Sequence, residues 1–425
     1  MNDPAFPRML GVRQNFPRTP PLDIRATLHA EFGQVTGRIK PGARIAVAVG
    51  SRGITNLQPI VAAVVENLKA AGAQPFIIPA MGSHGGATPE GQRDILSSYD
   101  ITEASVGAPV RPSLDVEQLG VTADGVPVWC SVEALRADGI VIVNRIKPHT
   151  DFSGTLGSGV VKMLVIGLGK RTGAAAMHAA ASRLGHERVI RSIARAVLER
   201  APVLCGVAIL ENQFHDTARL AVLPREDIEK REEALLIEAR ELMPRLPFEE
   251  IDLLIVDRIG KNISGAGMDP NVIGRWVQGY SSALKHEGQS PFIRRIFVRD
   301  LTPETHGNAI GIGLADLTTT RVANAVDKPV TYINSLTSLT PHCAKIPIHF
   351  DTDRECVALA LASLALDDPR AAKVVRIADT LSLAELEVSE SCAPLLHGRA
   401  ELSITAPAAE MEFDGAGNLA PIRVA

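Results

Sequence analysis

Three histidines and one lysine in the first half of the chain are placed where they could do chemistry. His84 lies in a glycine-rich stretch, His149 directly follows a proline, Lys162 ends the run Gly159-Val-Val-Lys162, and His178 lies in an alanine-rich stretch. Imidazole titrates near neutral pH, so it can serve as an acid, a base or a metal ligand. Each of these residues taken alone is more often structural. All four residues lie in glycine-rich or helix-leading segments of the first half of the chain, and this shared placement predicts an enzyme.

Two of the histidines follow short apolar runs that predict buried strands. His84 comes after Pro75–Pro79, and His149 comes after Gly139–Val143. In an open α/β sheet, the loops that leave the carboxyl ends of parallel strands meet at one crevice, where ligands bind. The sequence therefore predicts that both imidazoles lie at the same edge of one sheet.

A strand–helix–strand unit is predicted between Arg44 and Pro79. Arg44–Val49 is an apolar strand, and residues 57 to 71 repeat apolar side chains at helical spacing. Asn56 is the predicted N-cap of this helix, and Gly72 is its predicted C′ residue. Pro75–Pro79 then returns as a strand, which predicts parallel pairing through a right-handed crossover.

The remaining apolar patterns and the length of 425 residues predict two α/β domains. Residues 1–246 form a predicted N-terminal domain with a Rossmann-like parallel sheet, and residues 247–425 form a second α/β domain. The active site is expected in the cleft between them, with the C-terminal tail able to pack back on the first domain. Further strands are predicted at Gly139–Val143, Val203–Leu210, Ile251–Val256, Phe292–Val298 and Val330–Ile333, and helices at Gly173–Leu184, Glu187–Glu199 and Arg225–Leu242.

Composition excludes several classes of protein. Hydrophobic residues make up 46% and charged residues 22% of the chain, which is typical of a soluble globular protein. A net charge of −4 with 4% aromatic residues argues against nucleic-acid binding. Five scattered cysteines predict reduced thiols, and the start of the chain lacks the apolar core of a signal peptide. We therefore expect a cytoplasmic protein that does not bind a membrane.

Two glycine-containing motifs and the three histidines are candidates for binding other ligands. Gly50-Ser-Arg-Gly53 lies between a strand and a helix, where Arg52 could bind a carboxylate or phosphate or could simply be solvated. Gly167–Gly173 lacks the spacing of a dinucleotide fingerprint, which argues against a Rossmann cofactor. The three histidines could instead hold zinc in a hydrolase or lyase, although no local zinc signature is present.

The order and spacing of these residues resemble the LarA-type lactate racemase family, whose enzymes use a nickel-pincer nucleotide. An arginine (Arg52) follows the first strand, a Gly-x-His loop (His84) comes next, and a Pro-His pair (His149) follows a later strand. Phe152-Ser-Gly154 then leads to Lys162, and His178 comes last. The resemblance covers residues 44 to 184 in detail and the rest of the chain in length and two-domain plan.

The resemblance implies a role for each residue. Lys162 is similar to the lysine that tethers the cofactor, and His178 to the histidine that ligates nickel. His84 and His149 are similar to the two opposed acid/base residues, and Arg52 to the arginine that binds the substrate carboxylate. The implied reaction is racemisation of a small 2-hydroxy acid by hydride transfer to and from the cofactor. The implied partners are that substrate and the cofactor-synthesis enzymes.

Three departures from the family pattern predict a substrate other than lactate. Val49 stands where the family has an aspartate, and a short insertion separates His149 from Lys162. The family's second-domain substrate motif is replaced by Gly260–Asn271, in which Lys261 is a candidate substrate-binding residue. Two alternatives stay open at this stage: the zinc-dependent hydrolase or lyase, and a non-catalytic protein that binds the nickel nucleotide.

Overall fold

The computed structural model describes residues 5–50, 53–82, 84–150, 152, 154–275, 277 and 290–423. The chain divides into two compact units. The first unit is Arg18–Met243, and the second unit combines the chain up to Pro17 with the chain from Pro244 onward. Strand β1 (Met9–Gln14) belongs to the second unit.

The first unit is built on a five-stranded sheet with the order β3-β2-β6-β7-β8. Its strands β2, β3, β6 and β7 run parallel and β8 is an antiparallel edge strand, while β4 and β5 form a separate hairpin. The parallel sheet and the strand–helix–strand unit were predicted from the sequence, and the structure confirms them. The bounds are β2 (Arg44–Val49), β3 (Gln74–Pro79), β4 (Val116–Val121), β5 (Pro127–Ser131), β6 (Gly139–Arg145), β7 (Val203–Glu211) and β8 (Thr217–Pro224).

Helices cover both faces of this sheet, because alternate strand residues point to opposite sides. Ala46, Ala48 and Ile142 face one apolar core, and Ile45 and Val47 face the other. The helices are α1 (Ile24–Phe32), α2 (Leu57–Ala70), α3 (Pro89–Ser98), α4 (Glu103–Val106), α5 (Val132–Leu135), α6 (Val160–Lys162), α7 (Leu168–Leu184), α8 (His186–Arg200) and α9 (Ile228–Glu241). A π-helical turn, Met163–Gly167, joins α6 to α7.

The second unit contains an eight-stranded mixed sheet with the order β12-β11-β10-β9-β13-β14-β1-β15. The strands from β12 to β13 are parallel, and β14, β1 and β15 are antiparallel. The strands are β9 (Glu250–Ile259), β10 (Phe292–Leu301), β11 (Leu317–Thr319), β12 (Ile348–Phe350), β13 (Val374–Ile377), β14 (Glu385–Ser389) and β15 (Leu402–Ala409). The helices are α10 (Pro270–Ile273), α11 (Thr320–Ala325), α12 (Lys328–Thr337) and α13 (Asp353–Ala362).

The residues that make up each unit differ from the predicted domain boundaries. Residues 1–246 were expected in the first domain, but the segment up to Pro17 joins the second unit because β1 pairs with both β14 and β15. The C-terminal tail also stays in the second unit, and the division along the chain falls at Met243–Pro244.

Two local predictions are wrong. Val330–Ile333 was predicted as a strand but lies in α12, whose first turn is capped by the Asp327 side chain accepting from the Val330 amide at 3.0 Å. Asn56 precedes α2 but does not cap it, because its backbone is left-handed (φ 57°, ψ 23°) where an N-cap is extended; its side-chain amide donates to the Thr217 hydroxyl at 3.0 Å. In the described chain, no helix combines the length and apolar character needed to cross a membrane.

Candidate functional site

The carboxyl ends of β2 and β6 form the switch point of the first sheet. The chain leaves β2 toward β3 on one side, whereas β6 is followed by β7 on the other side. Ligands of open α/β sheets bind at such a point, because the loops on either side diverge and leave a crevice. The loop after β2 begins at Gly50, which packs so closely on Asn144 that a Cβ there would lie 2.6 Å from the Asn144 Oδ1.

His149 and Lys162 are in direct contact. The Lys162 Nζ lies 2.5 Å from the His149 Nε2, and the His149 side chain is buried. Paired backbone hydrogen bonds of 2.8 Å between Lys147 and Ser158 close the loop that separates the two residues. The sequence analysis predicted both residues as site residues, and the structure brings them together.

The turn that carries Lys162 is held by two polar side chains of other elements. Asn144, near the end of β6, donates to the Gly159 carbonyl at 2.9 Å. Glu232 of α9 accepts from the Val161 amide at 2.9 Å, and its carboxylate lies where a Cβ at Gly159 would be. Burial raises the pKa of Glu232 to about 7, against the opposing effect of backbone hydrogen bonds from Val161 and Val160.

A series of ring contacts connects His149 to His178. Phe152 stacks on His149 with a centroid separation of 4.3 Å and on His186 with one of 5.3 Å. His186 in turn meets His178 edge to face, at 6.4 Å between centroids. The structure thus places His178, on α7, in the same group of side chains as His149 and Lys162.

His186 is a site residue that the sequence analysis missed. It is the first residue of α8 and directly follows Gly185, whose φ of +85° lets the chain turn sharply between α7 and α8. The signal in the sequence was a histidine after a glycine at a helix junction, eight positions beyond His178. That spacing alone cannot show that the turn brings the two imidazoles together.

His84 lies on the loop that follows β3, on the other side of β2 from the His149 loop. Its imidazole is half-buried. Gln92 of α3 is fully buried and donates to the Met81 and Gly82 carbonyls at 3.2 and 3.3 Å, which fixes the path of the chain just before His84.

Arg52 falls outside the described residues. Hydrogen bonds hold the loop that begins at Gly53. The Gly53 amide donates to the Tyr99 hydroxyl at 2.9 Å, and the Thr55 amide donates to Glu211 at 2.7 Å. Arg145 forms an ion pair with Glu211 and donates to the Gly53 carbonyl at 3.0 Å. The ends of β6 and β7 therefore support this loop.

Lys261 belongs to the second unit, where it follows β9. Its amide donates to the Thr305 hydroxyl at 3.2 Å, and its ammonium donates to the Gly265 carbonyl at 3.4 Å. The side chain is half-buried.

The zinc alternative requires three side chains that converge on one ion. Within the described ranges, which include His84, His149 and His178, no group of three His, Cys, Asp or Glu residues is arranged to hold a metal ion. The three-histidine zinc site considered from the sequence is therefore not formed.

Comparison with known proteins found one matching domain model and a similar solved structure. Residues 24–189 match the family model of the lactate racemase N-terminal domain. The chain is also similar to the solved structure of the lactate racemase apoprotein from Thermoanaerobacterium thermosaccharolyticum, with a TM-score of 0.53 and 14% identity over 88% of this chain and 99% of that chain. At that identity the likeness shows the fold. No curated protein matches the sequence.

Proposed function

We propose that this protein is a racemase or epimerase of a small 2-hydroxy acid that works with a nickel-pincer nucleotide. The observation that supports the proposal best is the contact between Lys162 and His149 in a domain of the lactate racemase family. The proposed attachment point and the proposed acid/base group lie side by side at the edge of the sheet where such folds bind ligands.

The residues present fit this cofactor in their chemistry. A lysine amine can form a covalent bond to a carboxyl-derived group, and Lys162 is carried on a turn fixed by Asn144 and Glu232. Imidazole is a suitable ligand for nickel, and His178 lies half-buried beside His186. In this proposal Lys162 tethers the cofactor and His178 ligates nickel, while Phe152 and His186 pack around them. When bound, the cofactor would supply a carbon that accepts and returns hydride.

The protein's own part in the reaction is to bind the acid and move its hydroxyl proton. Inversion needs an acid/base group for each face of the substrate carbon, and we assign these roles to His149 and His84. One imidazole accepts the hydroxyl proton from one enantiomer, and the other returns a proton to form the opposite enantiomer. Arg52 and Lys261 are the proposed partners of the substrate carboxylate, since a guanidinium matches its two oxygens and an ammonium adds charge.

Val49 supports a substrate other than lactate. It is fully buried at the end of β2, in the place where the resemblance to the family expects an aspartate. An apolar side chain there cannot orient Arg52 or contribute charge to the pocket. We therefore expect a panel of 2-hydroxy acids, resolved by chiral chromatography, to show a preferred substrate that is not lactate.

The first experiment is intact-protein mass spectrometry with metal analysis, on protein co-produced with the cofactor-synthesis enzymes. We expect a nickel-containing covalent adduct that is lost in Lys162→Ala and kept in Lys40→Ala, a change at an exposed lysine. Zinc without a nucleotide would refute the proposal. Nickel and nucleotide without a covalent mass would remove the tethering role from Lys162 alone.

The second experiment separates a racemase from a non-catalytic cofactor-binding protein. His84→Ala and His149→Ala are expected to abolish racemisation while nickel content stays at the wild-type level. His29→Ala, at an exposed histidine of α1, is the matched control and is expected to change neither. A wild-type protein that holds the cofactor but racemises no 2-hydroxy acid would favour the binding protein.

A further inference from the structure

One motif noted in the sequence, Gly167–Gly173, has no part in the function proposed above. The structure places it where the π-helical turn passes into α7. Its lysine, Lys170, interrupts the helix with φ 54° and ψ −157°. This region of backbone space is essentially restricted to glycine, and residues other than glycine that are held there concentrate at functional sites.

The Lys170 side chain is as unusual as its backbone. It is only 1% exposed, and its ammonium donates to the carbonyl of Pro79. In the described part of the chain no carboxylate pairs with this ammonium. Burial lowers the pKa of Lys170 to about 8, as expected for an amine without a counter-charge. A buried charge and a strained backbone both oppose folding, so stability alone does not explain this residue.

The acceptor of this hydrogen bond lies at the start of the His84 loop. Pro79 is the last residue of β3, and the chain runs from there through Ala80 and Gly82 to His84. This segment packs directly on the helical segment that contains Lys170. A Cβ at Gly167 would lie 3.0 Å from the Ala80 Cβ, and a Cβ at Gly82 would lie 3.0 Å from Ile166.

We propose that Lys170 is a positioning residue that holds the His84 loop against the helical segment bearing Lys162 and His178. It acts through the Pro79 carbonyl and does not touch the substrate. The proposal rests on the proposed function, in which His84 must face a substrate placed by Lys162 and His178. Lys170 lies between these two residues in the sequence and donates to the strand end from which the His84 loop leaves.

The test compares Lys170→Met with Lys69→Met. Methionine removes the amine but keeps an unbranched side chain. Lys69 makes the same kind of bond, to the Gly107 carbonyl at 2.5 Å, from an exposed position on α2. In the apoprotein, we expect Lys170→Met to speed backbone hydrogen exchange at Ala80, Ala87 and Thr88 by about tenfold or more, with amides of α8 unchanged. Lys69→Met should leave all of these amides at the wild-type rate.

Kinetics of the cofactor-loaded protein provide the second readout. Lys170→Met is expected to lower kcat with little change in KM or nickel content, because the substrate and cofactor still bind but His84 is misplaced. If the methionine variant does not fold, Lys170→Gly gives the same comparison with a relaxed backbone.

Three results would overturn the proposal. They are unchanged exchange at the loop amides, faster exchange spread evenly over the first unit, and a loosened loop with wild-type kcat. Failure of the proposed function is recognised separately, because the exchange experiment needs no cofactor. If the proposed function is wrong, the wild-type protein racemises no 2-hydroxy acid, while the loop amides still exchange faster in Lys170→Met.

Discussion

Glu232 offers a direct test of how the turn under Lys162 is held. Its carboxyl group is fully buried, accepts backbone hydrogen bonds from Val161 and Val160, and has a pKa raised from the ordinary 4.5 to about 7 by burial. The second carboxylate oxygen has no hydrogen-bond partner among the described residues. Arg191 and Glu229 are the other charged groups that act on it, in opposite directions. Ionisation of Glu232 in the folded protein therefore lowers the free energy of unfolding.

The size and sign of this cost follow from linkage. A shift of 2.5 pKa units corresponds to about 3 kcal/mol. Below pH 4.5 the group is protonated in both the folded and unfolded states, and the cost is absent. Between pH 4.5 and 7 only the unfolded state releases the proton, so the free energy of unfolding falls as pH rises. Above pH 7 the full cost is present and no longer changes.

Glu232→Gln removes this titration while keeping the shape of the side chain. Relative to the wild-type protein, the variant should gain about 3 kcal/mol of unfolding free energy between pH 4.5 and 8. The buried amide of the variant is expected to lower its free energy of unfolding by about 1–3 kcal/mol at every pH, which leaves the pH dependence unchanged. Urea titrations read by pulsed hydrogen exchange in first-unit peptides measure the difference. Glu241→Gln, at an exposed position on the same helix, is the control. A difference that does not vary with pH would refute the reasoning.

Three further perturbations test the supports of the two units. Phe152→Ala should break the ring series and release nickel faster on dialysis, whereas Phe152→Tyr should retain it; equal retention would remove the packing role. Arg145→Met leaves the buried Glu211 carboxylate unpaired, so first-unit stability in urea should fall by about 3–5 kcal/mol, and a loss below about 1 kcal/mol would contradict this. Arg376→Met should destabilise the second unit by about 1–3 kcal/mol, because it removes charged hydrogen bonds to Asp257 and Glu387, which keep Arg299 and Arg423 as partners; unchanged second-unit exchange would argue against it.

The first sheet was predictable because its signals are local. Strands such as Arg44–Val49 are continuous apolar runs bounded by turn residues, as parallel strands buried on both faces must be. Gly72 has a φ of +82°, which is the left-handed conformation expected of a residue just beyond a helix. The carboxyl-edge placement of His84 and His149 followed from these strands and from the topology of open sheets.

The errors arose where distant contacts decide the structure or where local helix-start signals outweigh strand propensity. Strand β1 is stabilised by pairing with β14 and β15, which lie at the opposite end of the chain. Val330–Ile333 has β-branched residues that favour a strand, but Asp327 and Pro329 begin a helix there and leave Ile333 68% exposed. Local helix-start signals were present in the sequence and outweighed intrinsic strand propensity.

The site residues also divide into those with a local signal in the sequence and those set by contacts between distant parts of the chain. Lys162 and His149 could be chosen from their order and setting, but the hydrogen bond between them depends on the closed loop from Lys147 to Ser158. His186 and Glu232 have no signal that spacing could reveal, because one acts across a helix junction and the other from a different helix. Supporting residues of this kind are set by packing.

Lys170 belongs to the segment from Val160 to Leu184 and Glu232 binds it, and both buried charges lower the free energy of unfolding. The cost of Glu232 is complete above pH 7, whereas the cost of Lys170, also about 3 kcal/mol, is complete below pH 8 and fades toward pH 10.5. Both penalties therefore apply in full near neutral pH, at a lysine within the segment that carries Lys162 and His178 and at a carboxylate of α9 that binds this segment. A fold selected for stability alone would not keep two buried, unneutralised charges there. Their retention is understandable if one fixes the turn of Lys162 and the other fixes the loop of His84, so that rigidity at the site is obtained at the expense of overall stability.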